Sequence, residues 1–298
     1  MLPNPMLKKL GLQNDDRVVI IHTDDIGMCQ SSVAAFSDLW GAGVISSGAV
    51  MVPCGWAPSA AKFAREHPEA DLGVHLTLTS EWDAYRWGPI SSRDSQSGMM
   101  DSEGFFPRTS EEVQERGIPE YVKQEMIAQV AQAKAWGINP THVDTHMGSV
   151  ASPKFMMDYV EVAMANKLPP MIFRLDEAGW KKAHRQITDE LAVKAAEMVL
   201  KLDEVGLPML DAIAGLELDA DPETRLDQAK AVFDRLPVGI THFIIHPSKE
   251  TEELKAITPD WRCRVADYQT FMKQDVRDYL KEIGVHVIGY RALTELIP

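Results

Sequence analysis

The sequence predicts a single-domain (β/α) barrel, TIM-barrel-like with room for distortion, spanning residues 1–298. Three observations predict it. Apolar runs of strand length recur along the chain, segments with helical spacing separate them, and no Pro/Ser-rich linker or shift of composition divides the chain in two. An open doubly wound sheet has the same alternation. However, neither Gly-x-Gly-x-x-Gly nor Gly-x-x-x-x-Gly-Lys follows the first strand, so a nucleotide cofactor has no seat.

The strand-like runs fall at residues 18–23, 43–52, 71–78, 141–147, 170–175, 207–213, 241–246 and 284–290. The first is apolar and β-branched, too short for a lone helix, and it delivers Asp24 and Asp25 to Gly27. Helical spacing appears at Val33, Phe36 and Trp40; at Met126, Val130 and Ala133; and at Met156, Tyr159, Val160 and Ala163. It returns at Leu191, Ala195, Met198 and Leu202, at Leu226, Ala229, Phe233 and Leu236, and at Tyr268, Met272, Val276 and Ile283. Ser152-Pro153 and Asp221-Pro222 place a capping residue before a proline at the first helical position. Gly137, Gly206 and Gly284 sit where a left-handed residue would close a helix before the next strand. The long connection at about 79–119, rich in Ser, Gly, Asp and aromatics (Trp82, Tyr85, Trp87, Phe105, Phe106), reads as a lid or specificity loop. A mobile insertion or a dimer contact is the alternative.

Composition narrows the function. Apolar residues make up 45% and charged residues 25%, and no run of eighteen apolar residues could span a bilayer, so a membrane protein is excluded. The first sixteen residues lack the apolar run of a secretory signal, and a cytoplasmic location is expected. A formal charge of −14 without a Lys/Arg cluster argues against a nucleic-acid partner and for a small neutral substrate. Cys29, Cys54 and Cys263, widely spaced and odd in number, fit neither a disulfide framework nor a thiolate zinc site and read as reduced bystanders.

Ionisable residues gather at the predicted strand ends: Asp24, Asp25, His75, His142, Asp144, His146, Arg174, Asp211, His246, Tyr290 and Arg291. Charged groups are seldom buried without partners, and convergence of this kind points to a site. In the run Thr141 to His146, period-two alternation puts His142, Asp144 and His146 on one face. Two imidazoles and a carboxylate, with positions left open, make a common catalytic site for zinc or another divalent ion. Asp24 and Asp25 cannot both point inward from a regular strand. One is expected to bind the metal while its neighbour, held ionised by the cation and Arg174, accepts a proton from water. Capping of the helix that follows is the other use of such a pair. His246 before Pro247 suits a third ligand, a buried donor or, as favoured here, a general acid. His22, His67, His184, His242 and His286 are read as structural or surface residues.

At these residues the sequence resembles the YdjC-like carbohydrate deacetylases, which include the chitooligosaccharide deacetylases. The matching pieces are Thr23 to Gly27, Gly73 to Leu78, Thr141 to His146, Asp211 with Gly215, His246-Pro247 and Tyr290-Arg291, in the family's order over most of the chain. The resemblance implies a barrel-like fold and one divalent ion, Mg2+ or Zn2+, held by Asp25, His75 and His146, with Asp24 as base. It implies removal of an N-acetyl group from an amino sugar or short oligosaccharide, with Thr77, Asp211, Tyr290 and Arg291 near substrate, in a homodimer. Ile26, Gly148 and Ser248 depart from residues the family often carries, at positions expected to touch the sugar. Hydrolysis of another amide or an ester on the same barrel, or a silent saccharide-binding barrel, is the alternative function.

Overall fold

A computed structural model describes residues 3–183 and 187–297; His184 lies outside them. Seven parallel strands form one sheet: β1 (Arg17–Ile26), β2 (Ser47–Val50), β3 (Leu72–Leu76), β4 (Val143–Thr145), β5 (Ala212–Gly215), β6 (Gly239–Ile245) and β7 (Val285–Val287). Their order is β4-β3-β2-β1-β6-β5, and β1, at 10 residues, is the axis of the sheet. On one side β6 pairs with it from Arg17 to Thr23. On the other side β7 pairs with Arg17 to Val19, and β2 takes over from His22.

The strand expected at residues 170–175 is reduced to two isolated bridges, Val143 with Pro170 and Phe173 with Leu210. Pro169 and Pro170 explain the loss, because proline has no N–H to give to a ladder. The backbone still carries hydrogen bonds across the gap. Met171 N donates to Val143 O at 3.0 Å, Arg174 N to Leu210 O at 2.7 Å, and Asp211 N to Ile240 O at 2.8 Å. The curled parallel sheet is therefore a distorted (β/α) barrel, as predicted, with its weak sector where the prolines stand.

The pleat of β1 separates two cores. Val19 and Ile21 pack with Phe36, Leu39, Phe243 and the surrounding helices. Val18 and Ile20 face the barrel interior with Met171, Leu210 and Ile240, and there they meet Met6 and Leu7 of the helix Pro5–Lys9 and Tyr290 and Leu293 of the helix Tyr290–Thr294. The first and last helices together form the floor of the barrel. The strand expected at residues 284–290 stops at Val287, and Tyr290 begins this closing helix instead.

The expected helices are present at Gln30–Gly41, Pro119–Ala135, Met156–Ala165, Asp189–Glu204 and Arg225–Phe233. The last predicted one is split into Trp261–Phe271 and Gln274–Glu282. Gly137, Gly206 and Gly284 adopt positive φ as expected. Asp221 caps a 3-10 turn, Pro222–Thr224, through a 3.0 Å bond from Glu223 N. Ser152 caps nothing through its hydroxyl, because the helix begins at Met156. The segment at 79–119 contains a 3-10 turn, Ser95–Ser97, and a helix, Ser110–Arg116, and is tied down internally. Arg86 bridges Asp101 at 2.7 Å and Phe106 O at 2.8 Å, and Trp87 Nε1 reaches Thr79 O at 2.8 Å.

Candidate active site

Both adjacent carboxylates of β1 face the interior, contrary to what a regular strand allows. The register with β2 shifts between Thr23 and Ile26, and Asp25 takes a left-handed φ of 60°. This bulge turns Asp25 to the same side as Asp24. Gly27 follows with φ 91°, and a Cβ there would stand 2.9 Å from Ala57 Cα, so the turn requires glycine. Backbone strain of this kind concentrates at functional sites. The capping use of the aspartates is set aside, since the helix Gln30–Gly41 starts from Cys29.

Asp25, His75 and His146 come together, as expected, with one donor atom from each within 4.8 Å of the others. Asp25 Oδ1 lies 3.2 Å from His146 Nδ1 and 3.5 Å from His75 Nε2, buried and without a hydrogen bond to either. The far side of each group is engaged. Asp144 Oδ1 holds His75 Nδ1 at 2.8 Å, Glu81 Oε2 lies 3.2 Å from His146 Nε2, and Arg264 Nη1 donates to Asp25 Oδ2 at 2.7 Å. Outer partners of this kind fix the tautomer and direction of a metal-binding histidine. The donor set and the orphaned carboxylate oxygen fit a divalent cation, which these three residues could hold.

The electrostatics agree. Burial would raise the Asp25 carboxyl, but the Arg264 guanidinium, with His146 and His75 beside it, holds it well below the usual range. Burial would lower His75, but the Asp144 and Asp24 carboxylates push it well above its ordinary value. His146 is likewise pushed up to about 9 by Glu81 and Asp25 against burial. The acids of this centre demand positive charge, which protons on the imidazoles or a metal ion can supply.

Asp24 stands beside the three, its Oδ2 3.7 Å from His75 Nε2 and its Oδ1 bonded to His22 Nδ1 at 2.7 Å. Burial would raise its carboxyl, but the His75 charge and the His22 bond bring it below the ordinary value. His246 follows Ile245, which pairs with Thr23, so it stands at the same rim. Asp267 Oδ2 accepts from its backbone N at 2.9 Å, and its buried Nδ1 has no hydrogen-bond partner among the described residues.

Other expectations change. Arg174 does not reach Asp24; it bonds Asp203 at 2.7 Å and Asp211 at 3.3 Å. Asp211 lies against the amino end of β6, where it also accepts from Asn4 Nδ2 at 2.7 Å and Ile240 N at 2.8 Å. A position near a strand end in sequence does not say which end of the barrel the side chain serves. Thr77 donates to His75 O at 2.6 Å inside the protein. Tyr290 is fully buried on the floor, and Arg291 donates its backbone N to Asp71 Oδ2 at 2.7 Å and its Nη2 to Ala70 O at 2.8 Å. Ile26 packs in the outer core, and Ser248 is buried, whereas Gly148 opens onto free space.

Sequence reasoning missed Arg264, Glu81 and Asp267. Arg264, beside Arg262 on the helix Trp261–Phe271, and Glu81, in a loop, lie far in sequence from the strand-end residues they serve and carry no pattern to find them by. His22 and His242, read as structural or surface, are wholly buried under the centre with His142. His67 and His286 are surface residues, as expected. The three cysteines are buried and unbonded to one another.

A parallel α/β barrel whose strand ends gather a carboxylate pair and two histidines is the class that this fold and site define. The family described as YdjC-like protein matches residues 18–282. A carbohydrate deacetylase of Thermus thermophilus is 32% identical over 294 residues, 98% of this chain and 99% of the relative. A carbohydrate deacetylase of Thermoanaerobacter pseudethanolicus is 20% identical over 93% of this chain and 99% of its own length. The fold is shared with a crystal structure from Enterococcus faecalis named for cellobiose-phosphate cleavage, with TM-score 0.74 and 21% identity over 93% of this chain and 99% of that one. The chain belongs to the YdjC-like family.

Proposed function

We infer that this protein is a carbohydrate deacetylase that hydrolyses the N-acetyl group of an amino sugar or short oligosaccharide, releasing acetate and a free amine. The observation that carries the reading is the juxtaposition of Asp24 with the Asp25–His75–His146 group. The names of relatives that align over nearly the whole chain support it. A divalent ion, magnesium or zinc, held by Asp25, His75 and His146 would supply Lewis acidity toward the amide carbonyl and lower the pKa of a water molecule. Asp24 Oδ2 takes the proton of the attacking water. His246 at the same rim gives a proton to the departing nitrogen, so one water is consumed and its atoms end in acetate and amine. Trp82 and Tyr85 offer faces for the sugar; Trp82 lies under the Arg264 guanidinium at 5.6 Å and Tyr85 is fixed by a 2.6 Å bond to Met28 O. A homodimer in the cytoplasm completes the proposal on the family resemblance, and sedimentation of the purified protein tests the dimer.

Acetate release from N-acetylglucosamine, its β-linked dimer and trimer, and a nucleotide-linked N-acetyl sugar, each with and without chelator, tests the reaction. Chelator-sensitive release from at least one is expected. No release from the panel by metal-loaded protein would favour hydrolysis of another amide or ester. Asp24→Asn should lower kcat by about 100- to 10,000-fold with metal content unchanged, read by steady-state kinetics and elemental analysis.

A further inference from the structure

Beneath the catalytic centre the barrel interior carries a layer of rings that the reaction itself does not use. Asp24 Oδ1 meets His22 Nδ1 at 2.7 Å, and His22 Nε2 meets His142 Nε2 at 2.9 Å. His142 Nδ1 lies 3.1 Å from Thr141 Oγ1, which donates to Asp71 Oδ1 at 2.6 Å. Tyr290 stacks on the His142 ring at 3.8 Å between centroids, and its hydroxyl meets His242 Nδ1 at 2.8 Å. His22, His142, His242 and Tyr290 are all fully buried. The space is built for them: a Cβ on Gly73 of β3 would overlap the His142 ring.

We propose that His22 is a positioning residue for the base: it donates from Nδ1 to Asp24 Oδ1, fixing the carboxylate so that Oδ2 faces the reacting water. The proposal rests on the deacetylase reading, in which Asp24 is that base. An ionised carboxylate has only acceptors, so the hydrogen between the two groups belongs to His22 Nδ1. The ring cannot turn away, because its other nitrogen shares a hydrogen with His142, which is wedged between the Gly73 backbone and the Tyr290 ring. Among the described residues His22 makes no direct contact with Asp25, His75 or His146. Its Nε2 also lies 3.5 Å from Asp144 Oδ2, whose other oxygen holds His75, so metal content is the readout that separates an effect on Asp24 from one on the metal-binding group.

The test separates donation from mere filling. His22→Asn keeps a donor at the Nδ1 position, whereas His22→Leu fills the space without one. For acetate release, His22→Leu is expected to lower kcat about 100-fold with KM within about twofold, and His22→Asn to stay within about tenfold of the parent. Both variants should retain the parent's metal content. Parent-like kcat in His22→Leu, equal losses in the two variants, or loss of metal from either would overturn the proposal. A second measurement depends neither on turnover nor on the His22 variants folding. Imidazole ¹⁵N–¹H spectra of the metal-loaded parent should show a low-field His22 Nδ1–H that moves back toward the ordinary range in Asp24→Asn. Its absence overturns the tether even if deacetylation is found, and its presence without turnover on any sugar leaves the tether standing while the deacetylase reading fails.

Discussion

Two clusters of charged side chains in this barrel use the same residue types to opposite ends. Beside the amino end of β6, Asp211 accepts from Arg174, Asn4 and the Ile240 backbone, and Arg174 is also bonded to Asp203. Both carboxylate oxygens of Asp211 have donors, and the cluster is closed. At the carboxyl end of β1, Asp25 is bonded through Oδ2 to Arg264, but Oδ1 faces two imidazole nitrogens without a hydrogen bond. Charge at a strand end therefore does not distinguish a scaffold from a site. Donor atoms that converge and are left unsatisfied do so.

The contrast can be broken at several points. The largest effect is expected from His75→Ala, which removes a converging nitrogen. It should abolish stoichiometric metal binding and lower acetate release by at least about 1000-fold, checked by elemental analysis and kinetics on the same sample. If full metal content and activity survived, His75 would belong with the scaffold. Next comes Arg264→Met, which frees Asp25 Oδ2 and leaves the converging atoms in place. Metal affinity should fall about 10- to 100-fold in a competition titration with a chromophoric chelator. An unchanged affinity would mean that the bulge alone holds Asp25. The smallest effect on chemistry is expected from Asp211→Asn at the closed cluster. It should cost about 1–3 kcal/mol of stability by denaturant unfolding, since it weakens the bond to Arg174, with kcat within about threefold. A kcat that collapsed while stability held would return Asp211 to the site.

How much of this was legible depended on whether a residue announces itself locally. The run from Val18 to Gly27 gave the axial strand and its acids, and the Thr141 to His146 alternation gave the segment that brings Asp144 and His146 to the site, because pleat and apolar pattern are local signals. The direction of both carboxylates was not legible, since it depends on a bulge and a positive φ at Asp25. Arg264 is 239 residues from Asp25 in the chain and has no neighbouring pattern to mark it. Arg174 and Asp211 were drawn into the site by their place near strand-like runs, and only the ladder with β6 shows where they sit. The helix Ala57–Glu66 escaped for another reason: its buried face is made of Ala57, Ala60, Ala61 and Ala64, a helical spacing written in residues with little hydrophobic contrast. The reduction of the run at 170–175 to isolated bridges was signalled by Pro169 and Pro170, whose missing N–H groups were there to be read.

The floor of the barrel has a consequence in time. As a nascent chain leaves the ribosome, Asp24, Asp25, His75 and His146 all emerge before Arg264, which anchors one of the acids, and before Tyr290, against which the His142 ring is stacked. β1 must likewise wait for β6 and β7 to complete its pairing. Such long sequence separations make for slow folding, because loop closure is lost as entropy before the contacts reward it. β1 to β4, which carry the acids and histidines, can pair from the first half of the chain, but the contacts that anchor Asp25 and stack the His142 ring are made only when the chain is nearly complete.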